Sequence, residues 1–509
     1  MESLNPLLQQ ARQLVRTHPL KSAASLLALL VALAALKTRR RSRGRSFNGP
    51  KGLPYIGIGL ERARNGEAGK QHEWIDSLHR EHGSTVAFVL FGTSIVLSQD
   101  KRLIHKALTD TSMFWRSDFA MGLAKDILGT PLFFLPTGPV WKYHRKSLQP
   151  AFGPAVLKNS ASVVTEQTNH ITEIWKNEIR ASKDGAIVLD MFHEFTAFTL
   201  DFIGRIAFSY DFEAVNRMHT KMRNEDQDIM EDMARILTVR FGLPPFAWWW
   251  RGVNRASPRV QKVTGHVDTL LKKVVAERKL KKSTGTDVAR ADLLEKLLGT
   301  DGDGKALFSE TEILGEVKGF FFAGHETSAN TLTFSVLEMT RNPDIQEKLR
   351  KEAMEVLSSL GDDNITVDSL SRFKYLDQFV KEIQRRHSIV GQLGRRAVKD
   401  IEFDGYLIPK ETVVLVDLRG MHMDPQHWKN PEKFDPDRWS QPFDPETFLP
   451  FGDGPTNCIG QKLALIEIKI ALIRLVTKFR FEYVEQTLEF VTFLTYGLKK
   501  GLQVRITEL

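Results

Sequence analysis

Between a start signal and a stop signal this chain carries one helical run far longer than an average helix, and that run restricts the fold more than any other feature. Ser309 and Glu312 form an S-x-x-E capping box, and Asn342-Pro343 supplies the first break after it. About 32 helical residues at roughly 1.5 Å each make a rod of roughly 48 Å. A rod of that length predicts an α-rich body built around it. Gly324 stands in its middle, where glycine costs about 1 kcal/mol relative to alanine. The segment AGHETSA around it, Ala323 to Ala329, is therefore expected to serve something other than helix stability.

The same spacing of apolar positions predicts further helices near 101–109, 140–149, 162–180, 190–207, 259–280, 343–360 and 368–388. Strand-like runs are few, STVAFVLFGTSIVLS and ETVVLVDL being the clearest, and residues 281–308 read as loops around a short helix. The expected fold class is mainly α with a minor β part.

The formal net charge of +9 is concentrated at one end. Residues 1–45 hold nine Lys and Arg against one acid, leaving 62 basic and 61 acidic residues in the remainder. A nearly neutral body speaks against a basic face that tracks phosphates, so no nucleic-acid partner is expected. Residues 22–36, SAASLLALLVALAAL, are uncharged and lead into KTRRRSRGR, six basic residues in nine. A helix of that length reaches only about 22 Å, against a hydrocarbon core of roughly 30 Å. A tilted span with Lys21 and Lys37 snorkelling fits, as does the apolar part of a cleaved signal peptide; the arginine run beyond it favours a retained anchor with that end cytoplasmic. Residues 1–45 are read as a membrane anchor with its basic stop-transfer run, 46–58 as a Pro/Gly hinge, and 59–509 as the catalytic body.

With a single cysteine, Cys458, the chain can form no intramolecular disulfide and no CxxC zinc site. A lone cysteine is most often a small buried hydrophobe. Here it sits in a glycine-rich loop running into an amphipathic helix, FLPFGDGPTNCIGQKLALIEIKIALIRL. From composition, Phe at −7 with Gly at −4 and +2 arises by chance about 3 times in 10,000. Gly454 and Gly460 would let backbone approach a flat ligand, and N–H groups at the following helix start would favour a thiolate.

This loop resembles the haem-binding segment of cytochromes P450, FxxGx(R/H)xCxG, and the chain looks like a microsomal eukaryotic member of that family. The resemblance implies the P450 fold with the long helix over the haem. It implies haem b (iron protoporphyrin IX) as cofactor, Cys458 as metal ligand through its thiolate, and Phe451 beside it, with thiolate donation favouring O–O cleavage. The chain departs from the pattern at Thr456, where the family has a basic residue for a haem propionate; Arg396 or His144 is expected to replace it.

AGHETSA is similar to the family's (A/G)Gx(D/E)T(T/S) oxygen-activation motif. That likeness implies Ala323 and Gly324 against the oxygen site, with Thr327 and Glu326 as catalytic proton carriers. The Thr327 hydroxyl is expected to bond the Ala323 carbonyl four residues back, which would loosen the helix. Glu382 and Arg385 of KEIQRR, with Arg438 of FDPDRW, match the family's structural network beneath the haem, although an i,i+3 Glu/Arg pair alone is an ordinary surface pair. Trp141 and Arg145 of WKYHR, with Arg395, match the family's propionate ligands. HSIVGQLGRRA lacks the family's proline, which implies a different substrate-facing loop.

Rival catalytic signatures are absent: His325-Glu326 and His193-Glu194 lack the second His of HExxH, and no GxSxG or phosphate-binding loop occurs. A mono-oxygenase inserting one O2 atom into a lipophilic substrate, a fatty acid, steroid or other lipophile, is weighed against a non-catalytic haem protein and against an electron-independent peroxide isomerase; the Glu326/Thr327 pair favours the first. No flavin or nicotinamide module is apparent. The resemblance implies NADPH-cytochrome P450 reductase as electron donor, with cytochrome b5 as a second candidate, docking near Lys142, Arg145, Lys146 and Lys462. It also implies an endoplasmic-reticulum membrane location, single-pass, with the catalytic domain cytoplasmic. Trp248, Trp249 and Trp250 cannot share one buried helix face and are expected at the membrane interface.

Overall fold

The computed structural model describes residues 45–220, 225–243, 245–285, 292–361, 365–492 and 495–509. The expected anchor and most of its basic run lie outside the described residues. Among the described residues no helix is long and apolar enough to cross a membrane.

After residues 46–58 come α1 (Gly59–Glu67), α2 (Gln71–His82), β1 (Thr85–Leu90), β2 (Thr93–Ser98), α3 (Lys101–Thr109), β3 (Phe114–Arg116) and α4 (Phe119–Leu128). The chain continues through α5 (Pro139–Leu148), α6 (Pro154–Ala181), β4 (Ala186–Asp190), α7 (Met191–Ala207), α8 (Ala214–His219), α9 (Glu225–Gly242), α10 (Pro258–Ser283) and α11 (Leu293–Leu297). The predicted rod is α12 (Glu310–Arg341), followed by α13 (Pro343–Leu360) and α14 (Lys374–Arg386). The last part holds β5 (Gln392–Ala397), β6 (Ile401–Phe403), β7 (Tyr406–Ile408), β8 (Val413–Asp417), α15 (Leu418–Met423), α16 (Gln461–Lys478), β9 (Phe479–Tyr483), β10 (Phe490–Thr492), β11 (Tyr496–Leu498) and β12 (Gln503–Glu508).

Both halves of the capping box are present on α12: the Ser309 hydroxyl accepts from the Glu312 N–H, and the Glu312 carboxylate accepts from the Ser309 N–H. The helix is buried nearly all round by α7, α10, α14 and α16, which explains why it lacks a single apolar stripe. Two predicted boundaries move for identifiable reasons. The helix expected at 162–180 starts at Pro154, because Gly153-Pro154 supplies a preorganised first turn. The one expected at 368–388 starts at Lys374, because Thr366 and Ser369 close a separate turn through side-chain bonds to each other's N–H.

The largest sheet has the order β1-β2-β8-β5-β3, with β2 and β8 parallel and the other neighbours antiparallel. β4, β12 and β9 form a second sheet, and β6-β7 and β10-β11 are hairpins. Residues 46–58, read from the sequence as a hinge, are hydrogen-bonded to β1: Ala87 N–H donates to the Asn48 carbonyl and Ile58 N–H to the Val89 carbonyl.

Candidate active site

Cys458 follows a 3-10 turn at Gly454–Thr456 and lies just ahead of α16. The loop is closed on itself, with Cys458 N–H donating to the Phe451 carbonyl at 2.9 Å and Asn457 N–H to the Gly454 carbonyl at 3.2 Å. Gly454 has φ +66°, and a Cβ there would meet the Leu108 carbonyl oxygen at 2.6 Å. Glycine is thus required for packing against α3, a different reason from ligand approach. At Gly460, by contrast, a Cβ would lie an ordinary 3.9 Å from both Cys458 Sγ and Phe152.

The Cys458 sulfur keeps accessible surface although dense protein surrounds it, so it looks into space within the molecule. Burial pushes the thiol up from its ordinary value; the N–H groups of Gly460 and Gln461 and the Arg145 charge pull the other way without prevailing. The Gly460 and Gln461 N–H groups thus act toward the thiolate, the direction expected from the sequence, against the effect of burial.

Phe152 joins this loop to the central helix, its ring 5.6 Å from that of Phe320. The helix is closed at Phe321 and Phe322 and from Ser328 onward, yet Ala323, Gly324, Glu326 and Thr327 retain open surface. Positions i, i+1, i+3 and i+4 share one face, so the opening is local and one-sided. Thr327 donates to the Ala323 carbonyl at 2.8 Å as expected. The helix nevertheless runs unbroken from Glu310 to Arg341. A Cβ on Gly324 would come within 2.7 Å of Ile203, so this glycine permits the close approach of α7.

Glu326 is held by a residue that sequence reading missed. Thr495 Oγ1 donates to Glu326 Oε1 at 2.6 Å, while Glu326 Oε2 is sealed from solvent without a partner. Burial raises the Glu326 carboxyl above its ordinary value, and the Thr495 bond offsets this only in part. Neighbouring His325 is enclosed and driven down to about 4 by burial, so it is neutral at pH 7.

Arginines gather at the edge of the thiol loop. Arg395 donates to Thr456 Oγ1 at 2.7 Å, and Arg145 donates to the Asn457 carbonyl and to Asn457 Oδ1. Arg116, which the sequence did not single out, donates to the Thr456 carbonyl at 3.1 Å and the Leu132 carbonyl at 2.6 Å. Arg116 stands directly opposite Arg395 in the β3-β5 register. Like charges placed so are mutually destabilising. Burial lowers Arg116 to about 9, with repulsion from Arg395 and Arg145 adding to the effect, and burial alone lowers Arg395 to about 10. Beside them the buried Trp141 indole N–H has no acceptor. Three cations and an unused donor make a site for carboxylates, the groups a haem presents at its edge.

Neither proposed replacement for the basic residue at 456 reaches this cradle. His144 Nδ1 is 2.7 Å from Glu316 Oε1, inside the joint between α5 and α12, and Arg396 turns outward to Glu411 and Asp118. The register explains Arg396: it follows Arg395 in β5, so its side chain leaves the opposite face.

Glu382, Arg385 and Arg438 come together as expected. Arg385 meets both Glu382 oxygens at 2.8 and 2.9 Å, and Arg438 Nε meets Oε1 at 3.0 Å. The Trp439 indole and the Asp435 N–H also donate to Glu382. The two guanidinium groups reach the carbonyls of His422, Lys429, Pro431 and Lys433, tying α14 to the segment that leads to the thiol loop. The pair is fully buried, which separates it from the surface pairs its spacing resembles.

A thiol loop joined to an opened central helix, with an arginine cradle at its rim, is the arrangement of a haem-thiolate protein. The cytochrome P450 family model matches residues 47–496. Cytochrome P450 4e2 of Drosophila melanogaster is 31% identical over 471 residues, covering 89% of this chain and 86% of that protein. Cytochrome P450 3A2 of Rattus norvegicus is 28% identical over 487 residues, 90% of each. The solved structure of retinoic acid-bound cyanobacterial CYP120A1 superposes with a TM-score of 0.74 at 22% identity, covering 92% of this chain and 100% of its own. This chain belongs to the cytochrome P450 family. It is a mono-oxygenase enzyme, and the family carries haem with a cysteine thiolate ligand.

Proposed function

We propose that the chain is a membrane-anchored mono-oxygenase that inserts one atom of O2 into a lipophilic substrate, with Cys458 as the residue whose thiolate would hold the iron of haem b. The supporting observation is the juxtaposition of Cys458 with uncompensated Arg116, Arg145 and Arg395 and the unpaired Trp141 indole. When bound, the haem supplies the iron at which O2 is activated. Arg116, Arg145, Arg395 and Trp141 would hold its propionates, and the Glu382-Arg385-Arg438 network would fix the approach to the ligand loop.

On the central helix, Glu326 holds a proton that Thr327 passes inward. Enclosure keeps Glu326 protonated to a higher pH than an exposed glutamate. Its sealed Oε2 is the atom from which transfer starts, once the Thr495 bond lets the side chain turn. Closely packed Ile203, Phe321 and Phe322 limit water around this face.

Electrons come from a separate NADPH-dependent reductase, with cytochrome b5 as a second donor. A depression beside the thiol loop is lined by Trp141, Lys142, Arg145, Lys146, Gly454 and Asn457. Lys142 and Lys146 are exposed there, Lys462 is exposed in the first turn of α16, and all three suit an acidic partner, whereas Arg145 is committed to Asn457. Exposed Trp249 and Trp250 suit contact with the membrane that residues 1–45 enter, with 46–58 joining the anchor to the catalytic body. The decisive experiment is the CO-difference spectrum of the reduced full-length protein, followed by reductase-supported oxidation of a lipophile panel. A thiolate-type CO band that disappears in Cys458→His is expected; an unchanged band in that variant would overturn the assignment.

A further inference from the structure

We infer that Arg62 anchors a carboxylate carried by the substrate, so that the enzyme takes apolar acids in preference to neutral lipophiles; this rests on the mono-oxygenase reading above. Arg62 projects from α1, and its Nη1 donates to the Phe241 carbonyl in the last turn of α9 at 2.6 Å. That bond uses one of five guanidinium N–H donors. Among the described residues no other partner and no acid is recorded for it. The side chain keeps part of its surface open, although it lies deep enough that burial alone draws it down to about 10. Its remaining donors are therefore available to an anionic partner.

The molecule supplies its own comparison. Among the described residues four arginines lie below their ordinary range because of burial: Arg116, Arg145, Arg395 and Arg62. The first three form the cradle assigned to the haem carboxylates. Buried cations that serve structure look different, as Arg240 does when it pairs with Asp126 and donates to the Leu123 and Val253 carbonyls. Arg62 has the first signature and lies elsewhere.

Its position suits a ligand that reaches the oxygen site. The turn after α1 touches the β10-β11 hairpin, where a Cβ on Gly69 would stand 2.8 Å from the Phe490 carbonyl. His72 continues the wall against the rings of Phe490 and Tyr496. Thr495 of the same hairpin segment ends it at Glu326. The path from α1 through the hairpin to α12 thus carries a cation at one end, aromatic rings between and the proton carrier at the other, an order that fits an acid with a long apolar body. Docking the end of α9 explains the Phe241 bond alone, since any side-chain N–H would serve for that.

The test uses full-length holoenzyme in phosphatidylcholine vesicles, with hexadecanoic acid and its methyl ester as probes, read by equilibrium dialysis and by the Soret shift. Wild-type protein is expected to bind the acid roughly tenfold more tightly than the ester. Arg62→Gln, which keeps an N–H for Phe241, should lose that preference with ester binding unchanged, and Arg62→Lys should keep part of it. Equal affinity of acid and ester in the wild type, no binding of the acid, or an intact preference in Arg62→Gln overturns the inference. Vesicles containing phosphatidylserine separate the other source of anions: weaker vesicle binding by Arg62→Gln with the acid preference intact would assign the residue to lipid headgroups instead. Loss of the thiolate-type CO band bears on the mono-oxygenase reading alone, because dialysis reports acid binding independently.

Discussion

Thr495 donates to Glu326 Oε1 at 2.6 Å, so the acid of the central helix is held by the C-terminal hairpin segment, 169 residues away, and not by its own helix. The hairpin is itself fixed through the Tyr496 N–H to the Ile389 carbonyl, and its Tyr496 ring stacks on Phe334 of α12 at 5.3 Å.

Removing that hydroxyl should change the proton supply without altering the fold. The bond favours the ionised carboxylate, so Thr495→Val is expected to raise the Glu326 pKa and move the corresponding limb of the pH–rate profile upward by somewhat under one unit, as one hydrogen bond of about 1 kcal/mol predicts. Thr495→Ser should restore the wild-type profile. Superimposable profiles for Val and wild type would remove Thr495 from the proton supply.

Arg116→Gln should release haem roughly tenfold faster than wild type, measured by transfer to a scavenging apoprotein, because one of the cradle's three charges is lost. Arg396→Gln, whose side chain leaves the opposite face of β5, should leave the rate unchanged. Equal effects at both positions would contradict the register argument.

Glu382→Ala leaves Arg385 buried and uncompensated and takes partners from Arg438, Trp439 and Asp435 together. The expected cost is about 3–5 kcal/mol. Recovery of this variant with full haem content and an unshifted melting temperature would show that the network is dispensable.

His219 lies between Glu178 at 2.8 Å and Glu194 at 3.0 Å. Burial opposes its charge, but the two carboxylates outweigh it and raise the imidazole to about 9. A raised folded-state pKa means that the stabilisation is complete below the unfolded value of about 6.5 and is lost as pH rises through about 9. Discounted for partial solvent screening, it is worth roughly 1–2 kcal/mol. The wild-type melting temperature should fall across that window, while His219→Gln should begin lower and stay flatter. Parallel curves would rule out the ion triad.

Replacing Trp249 and Trp250 with Ser should weaken vesicle binding of a form lacking residues 1–45, since these indoles are 68% and 71% exposed. Trp248 differs, its ring lying 4.8 Å under the Arg240 guanidinium and its indole donating to the Leu243 carbonyl, so Trp248→Ser should lower stability instead. The expectation for three equivalent indoles therefore divides by burial.

Local signals carried far in this chain. The capping box and Asn342-Pro343 marked the ends of α12 in the sequence itself, because caps and breakers act through residues three or four apart. The Glu382/Arg385 pair was equally legible as a spacing. Its meaning was not, because the same i,i+3 pattern on an exposed helix is a weak surface pair, and only the approach of Asp435, Arg438 and Trp439 buries it.

Sequence alone determined the helical rod, the cysteine loop and the acid-alcohol pair, since each depends on neighbours along the chain. Tertiary structure decided which distant residues complete them. Arg116 reaches Thr456 because β3 pairs with β5 in a register that sets it opposite Arg395, and Thr495 reaches Glu326 because a short hairpin folds back on α12. Such pairings arise from the burial of whole strands and helices against one another, and at separations of well over a hundred residues no local pattern records them.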